Sequence, residues 1–281
     1  MAATAEVQMD YKQFLINCDN QYRSMNCSQN IEKQCQTCFE KEFYHNNSLN
    51  IYDCHTGCLY YAMHYGLAYI SEIYHLLSAL APNNINFFNY VNITSLGGGM
   101  GTDYLAIEKY AEDHNCPFNI RYTIYDISPS WGSIISKYNT RNNILFTACD
   151  LSQQFINFSS QQIVFINKLV STLKVSDRLS DFMKNLTSML QTLPVGATLI
   201  FNDVNHQNKG REDFLNYMTN CHSEMQLLGK YFFPLENAYS GDYQPIQRTD
   251  IIFDIAGLNN LSCDIMSTVR KTFFAVYTKV R

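Results

Sequence analysis

The chain has 281 residues, enough for one large domain or two small ones, and 46% of them are hydrophobic whereas 16% are charged. The formal net charge of −5 argues against broad, non-specific binding to nucleic-acid phosphates, although a local basic patch stays open. No run of about eighteen apolar residues is present, so the sequence predicts no membrane span.

The N-terminal residues MAATAEVQMDYKQF lack a basic region followed by an apolar run, which argues against a signal peptide. We therefore expect an intracellular protein with reduced thiols, with the cytoplasm favoured and the nucleus left open. The sequence leaves the oligomeric state undetermined.

The first part of the chain, before residue 59, is polar and contains six of the ten cysteines. Cys35 and Cys38 form one close pair, and Cys54 and Cys58 form a second, a pattern that suits tetrahedral zinc. His55 could replace one thiolate, and Cys18 and Cys27 are competing ligands. Structurally inert thiols and a redox role remain alternatives to a zinc site.

The segment LYYAMHYGLAYISEIYHLLSAL, residues 59–80, is predicted to be a helix because its apolar residues recur near the helical period. Pro82 ends this helix. We divide the chain accordingly into an N-terminal cysteine-rich and helical cap, residues 1–87, and a second domain, residues 88–281.

From residue 90 onward, short apolar runs alternate with longer amphipathic segments. The runs are VNITSL, IRYTIYD, NILFTACD, QIVFINK and ATLIFND, followed later by MQLLGKYFF and KTFFAVYTKV. Helices are predicted at 102–113, 130–139, 176–192 and 210–221. Strands that are apolar throughout are usually covered on both faces, as in a parallel sheet with helical crossovers. The sequence therefore predicts an α/β fold, a doubly wound, seven-stranded, mostly parallel sheet with helices on both faces and an N-terminal extension.

A glycine-rich segment, SLGGGMGTD, connects the first strand to the helix at 102 and contains Gly97, Gly98, Gly99 and Gly101. Glycines at the carboxyl end of a parallel strand let the backbone approach a nucleotide and leave the helix N-terminus accessible to it. The spacing differs from the dinucleotide fingerprint GxGxxG, which would need a third glycine at Thr102, and no phosphate-binding P-loop is present.

With this loop, residues 88–281 resemble the class I S-adenosylmethionine-dependent methyltransferases, whose first motif carries x-G-x-G-x-G at the end of strand 1. Supporting positions follow in that family's order: Asp126 after IRYTIYD, Asp150 in TACDL, and Asn167 with Lys168 in FINKLV. The resemblance implies a Rossmann-like fold, S-adenosylmethionine as cofactor and methyl transfer as activity.

The resemblance also implies roles for these residues. Asp126 would accept hydrogen bonds from both ribose hydroxyls, a task that suits the two oxygens of a carboxylate. Asp150 would meet the adenine amino group, and Asn167 and Lys168 would border the cofactor and the substrate. The remaining residues predicted around the cofactor are Ile127, Trp131, Cys149 and Leu151.

One position departs from the family's pattern, because the acid of the first motif would fall at Ser95. Asp103, just beyond the last glycine, or a water network could take over the contact with the methionine amino group. This departure keeps open a non-catalytic binding module that retained the fold. A nicotinamide-dependent oxidoreductase is disfavoured by the glycine spacing.

Two residues in FNDVNHQNKG, Asp203 and His206, follow strand 5 on the substrate side of such a fold and are the predicted catalytic pair. Histidine titrates near neutrality and could take a proton from a hydroxyl or amine acceptor. A solvated loop histidine is the alternative, since methyl transfer from a sulfonium often needs little beyond an in-line approach.

The methyl acceptor is not identified by the sequence and could be a small molecule, a protein or an RNA end. In the resembled family, segments before strand 1 commonly cap the cofactor and shape the acceptor pocket. We therefore expect Tyr61, Tyr65 and Tyr69 to divide between core packing and that pocket.

Overall fold

The structure is a computed structural model that describes residues 10–27, 35–41, 54–80, 89–139, 142–206 and 208–281. Its helices in chain order are α1 (Tyr11–Ser24), α2 (Cys35–Lys41), α3 (His55–Leu80), α4 (Thr102–Asp113), α5 (Ser130–Ile135), α6 (Leu169–Val175), α7 (Leu179–Thr192) and α8 (Arg211–Cys221). Within these described ranges, no helix is long and apolar enough to span a membrane.

The strands of the described residues form one eight-stranded sheet. They are β1 (Asn89–Leu96), β2 (Asn119–Asp126), β3 (Ile144–Ala148), β4 (Ile163–Asn167), β5 (Thr198–Val204), β6 (Met225–Phe232), β7 (Gln244–Pro245) and β8 (Thr272–Lys279). Their spatial order is β3-β2-β1-β4-β5-β8-β6-β7, with β8 antiparallel to both of its neighbours and the other pairings parallel.

The strand order reverses between β1 and β4, where the chain leaves one half of the sheet and begins the other. Such a switch point opens a crevice at the carboxyl ends of the two strands, and the segments that follow them line it. The glycine segment follows β1 and Lys168 follows β4, so both lie at this crevice.

Successive residues of the central strands point to opposite faces of the sheet, and each face is covered by helices. Phe165 of β4 packs in the core with residues of α1, α3 and α4, whereas Val164 and Ile166 pack with residues of α6, α7 and α8. All five residues of β4 are buried, which explains why this strand reads as a continuous apolar run.

The predicted doubly wound α/β fold is confirmed, with eight strands where seven were predicted. The extra strand, β7, has only two residues and pairs with the end of β6. Several helices differ from prediction. Helix α5 ends at Ile135 rather than near 139, and α6 was not predicted. Helices α1 and α2 form in the polar, cysteine-rich segment before residue 59, where no helix was predicted.

The N-terminal helices share a hydrophobic core with the sheet. Phe14 of α1 and Leu67 of α3 belong to the same cluster as Ile93 of β1 and Leu105 of α4. Asp10 caps α1 by accepting hydrogen bonds from the first turn, which offsets the weak helical signal of that segment. The cap and the sheet therefore pack as one body in the described residues.

An irregular segment between β7 and β8 lies along α1 and α3. The backbone amide of Ile252 donates to Ser71 Oγ (3.0 Å), and that of Ser262 donates to Asp19 Oδ1 (2.8 Å). These side chains supply hydrogen bonds that an irregular backbone cannot make with itself. The segment thereby ties the N-terminal helices to the last strands of the sheet.

Candidate functional site

A cavity that is partly open to solvent lies at the carboxyl ends of β1, β2, β3 and β4. The structure brings together around it all of the residues predicted to contact a cofactor except Gly101 and Asp103. Those that line it are Gly97, Gly98, Gly99, Asp126, Ile127, Trp131, Cys149, Asp150, Leu151, Asn167 and Lys168.

The glycine loop turns sharply because Gly97, Gly99 and Gly101 have positive φ angles of 66°, 52° and 77°. Residues other than glycine rarely adopt positive φ angles, so the backbone conformation of the loop favours glycine at these three positions. At Gly98 the restriction is steric, since a Cβ there would lie 2.5 Å from Ser95 Oγ. Gly101 is the left-handed residue preceding α4 and lies behind the cavity wall.

Asp126 links the end of β2 to the glycine loop. Its Oδ2 accepts a hydrogen bond from the backbone amide of Gly99 (3.0 Å), and its Oδ1 accepts one from Ser128 (3.1 Å). Burial raises the pKa of the Asp126 carboxyl to about 6, although these amide donors oppose the shift. Each carboxylate oxygen has a further lone pair, so Asp126 can still accept hydrogen bonds from a ligand.

Trp131 belongs both to the buried hydrophobic core and to the cavity wall. Its indole lies beside the Asp126 carboxyl and within 4 Å of the position that a Cβ on Gly99 would take. Tyr61 of α3 packs edge-on against it, with ring centroids 5.6 Å apart. The single tryptophan thus connects the glycine loop to the N-terminal helix.

Asp150 lies at the cavity with its carboxylate already engaged. Oδ1 accepts hydrogen bonds from the backbone amide (3.1 Å) and hydroxyl (2.8 Å) of Ser152, and Oδ2 forms an ion pair with Arg178. Burial raises the pKa of the neighbouring Cys149 thiol, and Asp150 and Asp126 add to the shift. Arg178, which precedes α7, is a cavity residue that sequence reasoning missed.

A buried polar cluster lies behind the glycine loop, where the family's first-motif acid is missing. Asn167 Nδ2 donates to Ser95 Oγ (3.2 Å), and the fully buried Asp103 lies beside Ser95, Asn167 and Tyr122. Burial raises the pKa of the Asp103 carboxyl. Asp103 does not line the cavity, so the lining does not include the carboxyl that was predicted to contact the cofactor's methionine moiety.

The opposite side of the cavity is formed by α3 and Lys168. Tyr61 and Tyr69 line it, and Tyr65 stacks on Tyr69 with ring centroids 5.6 Å apart. Lys168 Nζ lies 2.9 Å from Glu72 Oε2, and Glu72 is fully buried. Sequence reasoning missed Glu72, although it is the sole acid of the apolar segment 59–80 and an isolated acid there is a signal.

The predicted catalytic residues lie elsewhere. Asp203 is fully buried and accepts hydrogen bonds from the backbone amides of Ser171 (2.9 Å) and Val204 (2.7 Å). This arrangement fixes the start of α6 to the end of β5 and gives the carboxylate a structural task. His206 is exposed in the following loop, and neither residue lines the cavity.

The four cysteines predicted to bind zinc are not grouped as a metal site in the described residues, although Cys54 Sγ lies 4.0 Å from the thiol of Cys27. Cys35 Sγ accepts a hydrogen bond from the Tyr22 hydroxyl (3.6 Å), whereas Cys58 Sγ lies 3.7 Å from Ser128 Oγ. Cys54 Sγ lies 3.0 Å from Thr56 Oγ1. In the described ranges, no three His, Cys, Asp or Glu residues are grouped to hold a metal ion, so the zinc hypothesis is not supported.

No family model matches this sequence, and no curated protein matches it. Solved structures of low sequence identity align with this chain. The N-methyltransferase NodS from Bradyrhizobium japonicum WM9, in complex with S-adenosyl-L-homocysteine, is 14% identical over 88% of this chain and 99% of that chain, with a TM-score of 0.46. The plantazolicin methyltransferase BpumL, in complex with a pentazolic desmethylPZN analog and S-adenosylhomocysteine, is 10% identical over 98% and 100%, with a TM-score of 0.49.

A TehB-like methyltransferase from Corynebacterium glutamicum ATCC 13032 Kitasato is 13% identical over 75% of this chain and 98% of that chain, with a TM-score of 0.41. The strand order and the switch point, described above from the chain itself, show that this chain has a doubly wound, Rossmann-like α/β fold.

Proposed function

We propose that this protein binds S-adenosylmethionine and transfers its methyl group to an acceptor. The observation that carries the proposal is the convergence of four strand ends on one cavity. There the glycine loop is bonded to the buried carboxylate of Asp126 through the Gly99 amide. A loop held open by glycines and fixed to an acid suits a nucleoside, because the backbone stays close while the acid keeps acceptor capacity.

The residues present fit this cofactor in their chemistry. Asp126 would hold the ribose hydroxyls, and Cys149 and Leu151 would flank the adenine. Asn167 Oδ1 is buried without a hydrogen-bond partner among the described residues and belongs to the cavity lining, so it is an available acceptor for the methionine ammonium. When bound, the cofactor supplies a methyl group on a positively charged sulfur.

The protein's own contribution to the reaction would be to position the acceptor and exclude water. Tyr61, Tyr69 and Lys168 line the part of the cavity that faces α3, and we assign the acceptor to this side. Holding two reactants in line supplies much of the rate for such a transfer, so a dedicated base is not required. This agrees with the positions of Asp203 and His206 away from the cavity.

Calorimetric titration with S-adenosylmethionine, S-adenosylhomocysteine and NAD tests the binding step. We expect both adenosyl compounds to bind and NAD to bind at least tenfold more weakly. Equal or tighter binding of NAD would overturn the assignment in favour of a nicotinamide enzyme. Transfer of a radiolabelled methyl group to pooled small molecules, proteins and RNA then tests turnover.

A non-catalytic binding module is the second candidate. Ser95 in place of the family's acid, and the absence of Asp203 and His206 from the cavity lining, favour it. The two candidates differ in one result. A module binds S-adenosylhomocysteine but leaves every acceptor pool unlabelled, whereas an enzyme releases it as product.

A further inference from the structure

Lys168 is held rigidly at the boundary between the two sides of the cavity. Its backbone has a φ of 49°, the left-handed region that a lysine rarely adopts, at the junction of β4 and α6. Its ammonium forms an ion pair with Glu72 (2.9 Å), donates to the Thr272 hydroxyl and lies 4.8 Å above the ring of Tyr69. A strained backbone and three fixed contacts indicate a side chain kept in one place.

The ion pair presents its positively charged partner, Lys168, to the cavity. Glu72 has no exposed side-chain surface, whereas 15% of the Lys168 side chain is exposed and lines the cavity. The other Glu72 oxygen accepts a hydrogen bond from the backbone amide of Arg270 (2.8 Å), which holds the carboxylate behind the lysine. The pair is neutral overall, but a ligand in the cavity meets its positive end first.

The Lys168 ammonium donates to the Thr272 hydroxyl and forms the ion pair with Glu72, and an ammonium group has three N–H bonds in all. Lys168 also lines the cavity, with Nζ 4.8 Å from the centroid of the Tyr69 ring. A ligand carboxylate or other oxyanion can accept a hydrogen bond from this ammonium, whereas a ligand ammonium meets a like charge. Tyr69, stacked on Tyr65, and Tyr61 provide flat apolar surface on the same side.

We propose that Lys168, fixed by Glu72, forms an anion subsite for the methyl acceptor, and that this acceptor carries a planar apolar group next to a carboxylate or similar oxyanion. This inference rests on the proposed function. The anionic group is a recognition element and not the methylated atom. Methyl transfer to an anionic atom consumes its charge, so a fixed cation there would stabilise the reactants more than the transition state.

The test uses benzoate, benzyl alcohol and benzylamine, which share a ring and differ in charge. Their affinities are measured by ligand-observed NMR for the wild-type protein, with and without saturating S-adenosylhomocysteine. We expect benzoate to bind at least tenfold more tightly than benzylamine, with benzyl alcohol between them, since a hydrogen bond to a charged group is worth about tenfold or more.

The variants are Lys168→Met combined with Glu72→Gln, which removes both charges and leaves no buried ion unpaired, and Glu72→Gln alone. The double variant should lose the preference for benzoate, whereas Glu72→Gln should keep it because the amide oxygen can still accept from Arg270. Lys184→Met, on the exposed face of α7, is the matched control and should leave every affinity unchanged.

Two results overturn the subsite. One is a wild-type protein without the preference, including one that binds neither charged probe. The other is a double variant that loses tenfold or more of its affinity for S-adenosylhomocysteine but none for 5′-methylthioadenosine, which lacks the amino-acid portion. Lys168 would then hold the cofactor's own carboxylate. Because the probes are also measured without the adenosyl compound, failure of the proposed function, in which no adenosyl compound binds, is distinguishable from failure of the subsite.

Discussion

The cavity has two walls of different origin. The strand-end wall consists of Gly97–Gly99, Asp126, Cys149–Leu151 and Asn167, and each of these ends a strand or follows directly on one. The helix wall consists of Tyr61 and Tyr69 of α3 together with Lys168 and its partner Glu72. The strands that carry the first wall place its residues at one edge of the sheet. In the helix wall, the ion pair between Glu72 and Lys168 joins residues about a hundred positions apart, a strand and a helix that only the tertiary fold brings together.

The largest effect is expected from Asp126→Ala in the strand-end wall. The substitution removes the acceptor of two ribose hydrogen bonds and also the acceptor of the Gly99 amide, so the loop loses its anchor. Hydrogen bonds to charged groups contribute about 10- to 100-fold each, so affinity for S-adenosylhomocysteine should fall at least 100-fold by calorimetry.

Asp181→Ala, an exposed acid on α7, is the matched control and should bind as the wild type does. Retention of wild-type affinity in Asp126→Ala would remove the ribose role from this residue and break the distinction between the two walls. Far-ultraviolet circular dichroism verifies that the variant is folded.

The second prediction concerns the helix wall, where Glu72→Ala should lower the free energy of unfolding. Removing one partner of a buried ion pair leaves the other uncompensated, which costs about 3–5 kcal/mol when both charges are buried. Lys168 keeps 15% exposure, so we expect the lower end, about 3 kcal/mol in urea unfolding.

Glu72→Gln keeps an acceptor for the Arg270 amide and should cost clearly less than Glu72→Ala. Asp181→Ala again serves as the exposed comparison, since its pair with Lys184 lies in solvent and should contribute little. A loss in Glu72→Ala no larger than in the exposed variant would show that the Glu72–Lys168 pair does not hold the helix wall.

The two walls also differ in how far the sequence predicted them. Glycine spacing and the acid at the end of β2 indicated the strand-end wall, because a strand, a turn and a helix N-terminus are local features with local sequence signals. Glu72 offered one signal, its isolation in an apolar segment, but its partner depends on the path of β4 and on the irregular segment that supplies the Arg270 amide.

The zinc expectation, which the described residues do not support, has the same origin. Spacing in the sequence placed Cys35 near Cys38 and Cys54 near Cys58, but the direction of each thiol is decided by the tertiary packing of α1, α2 and α3. Likewise, Asp203 was placed correctly at the end of β5, yet a register of one residue decides whether a strand-end side chain faces the cavity or the neighbouring helix.

The third prediction separates two reasons for glycine within the strand-end wall. In Gly98→Ala the new Cβ would lie 2.5 Å from Ser95 Oγ and 2.9 Å from Ile124 Cγ2, so overpacking should cost about 1–3 kcal/mol. In Gly99→Ala the Cβ meets Trp131 at an ordinary 3.7 Å, and only the positive φ is penalised, by about 1 kcal/mol.

Gly196→Ala is the matched control for the cost of placing alanine at a positive φ, because Gly196 has a φ of 86° and nothing lies within 4 Å of the added Cβ. Thermal or urea unfolding should rank Gly98→Ala as the most destabilised, with Gly99→Ala close to Gly196→Ala. If Gly98→Ala is instead as stable as the wild type, the close packing between the loop and Ser95 is wrong.

The fourth prediction concerns pH and again isolates the strand-end wall. The raised pKa of Asp126, about 6, means that the ionised acceptor is lost below that pH, so affinity for S-adenosylhomocysteine should fall toward tenfold per pH unit below 6. Stability without ligand should change in the opposite direction. A carboxyl whose pKa is raised by folding destabilises the fold when ionised, so its contribution improves as the pH falls from 6 toward 4.

Asp126→Asn provides the control, since it cannot ionise and should flatten both profiles in this interval. The measurement is calorimetric affinity and urea unfolding at half-unit steps from pH 5 to 8. Affinity that is constant down to pH 5 in the wild type would exclude ionised Asp126 as the ribose acceptor.

The smallest effect is expected on metal removal, which tests the N-terminal helices that support the helix wall. Burial raises the pKa of the Cys35 thiol, and this disfavours the thiolate that zinc requires. Cys35 and Cys58 lie against the hydroxyl groups of Tyr22 and Ser128, and Cys54 lies against the hydroxyl of Thr56 and, at 4.0 Å, the thiol of Cys27. A neutral thiol makes such contacts readily. The packing of Phe14 and Leu67 in the core shared with the sheet stabilises this region without a metal.

Treatment with a strong chelator should therefore leave the melting temperature and the protease resistance of the N-terminal helices unchanged. A structural zinc site contributes on the order of 10 kcal/mol, and in a chain of this size each kcal/mol moves the melting temperature by about 2–4 °C. A drop of about 10 °C or more, together with close to one equivalent of zinc by elemental analysis, would restore the metal site. It would also require a different arrangement of the N-terminal cysteines.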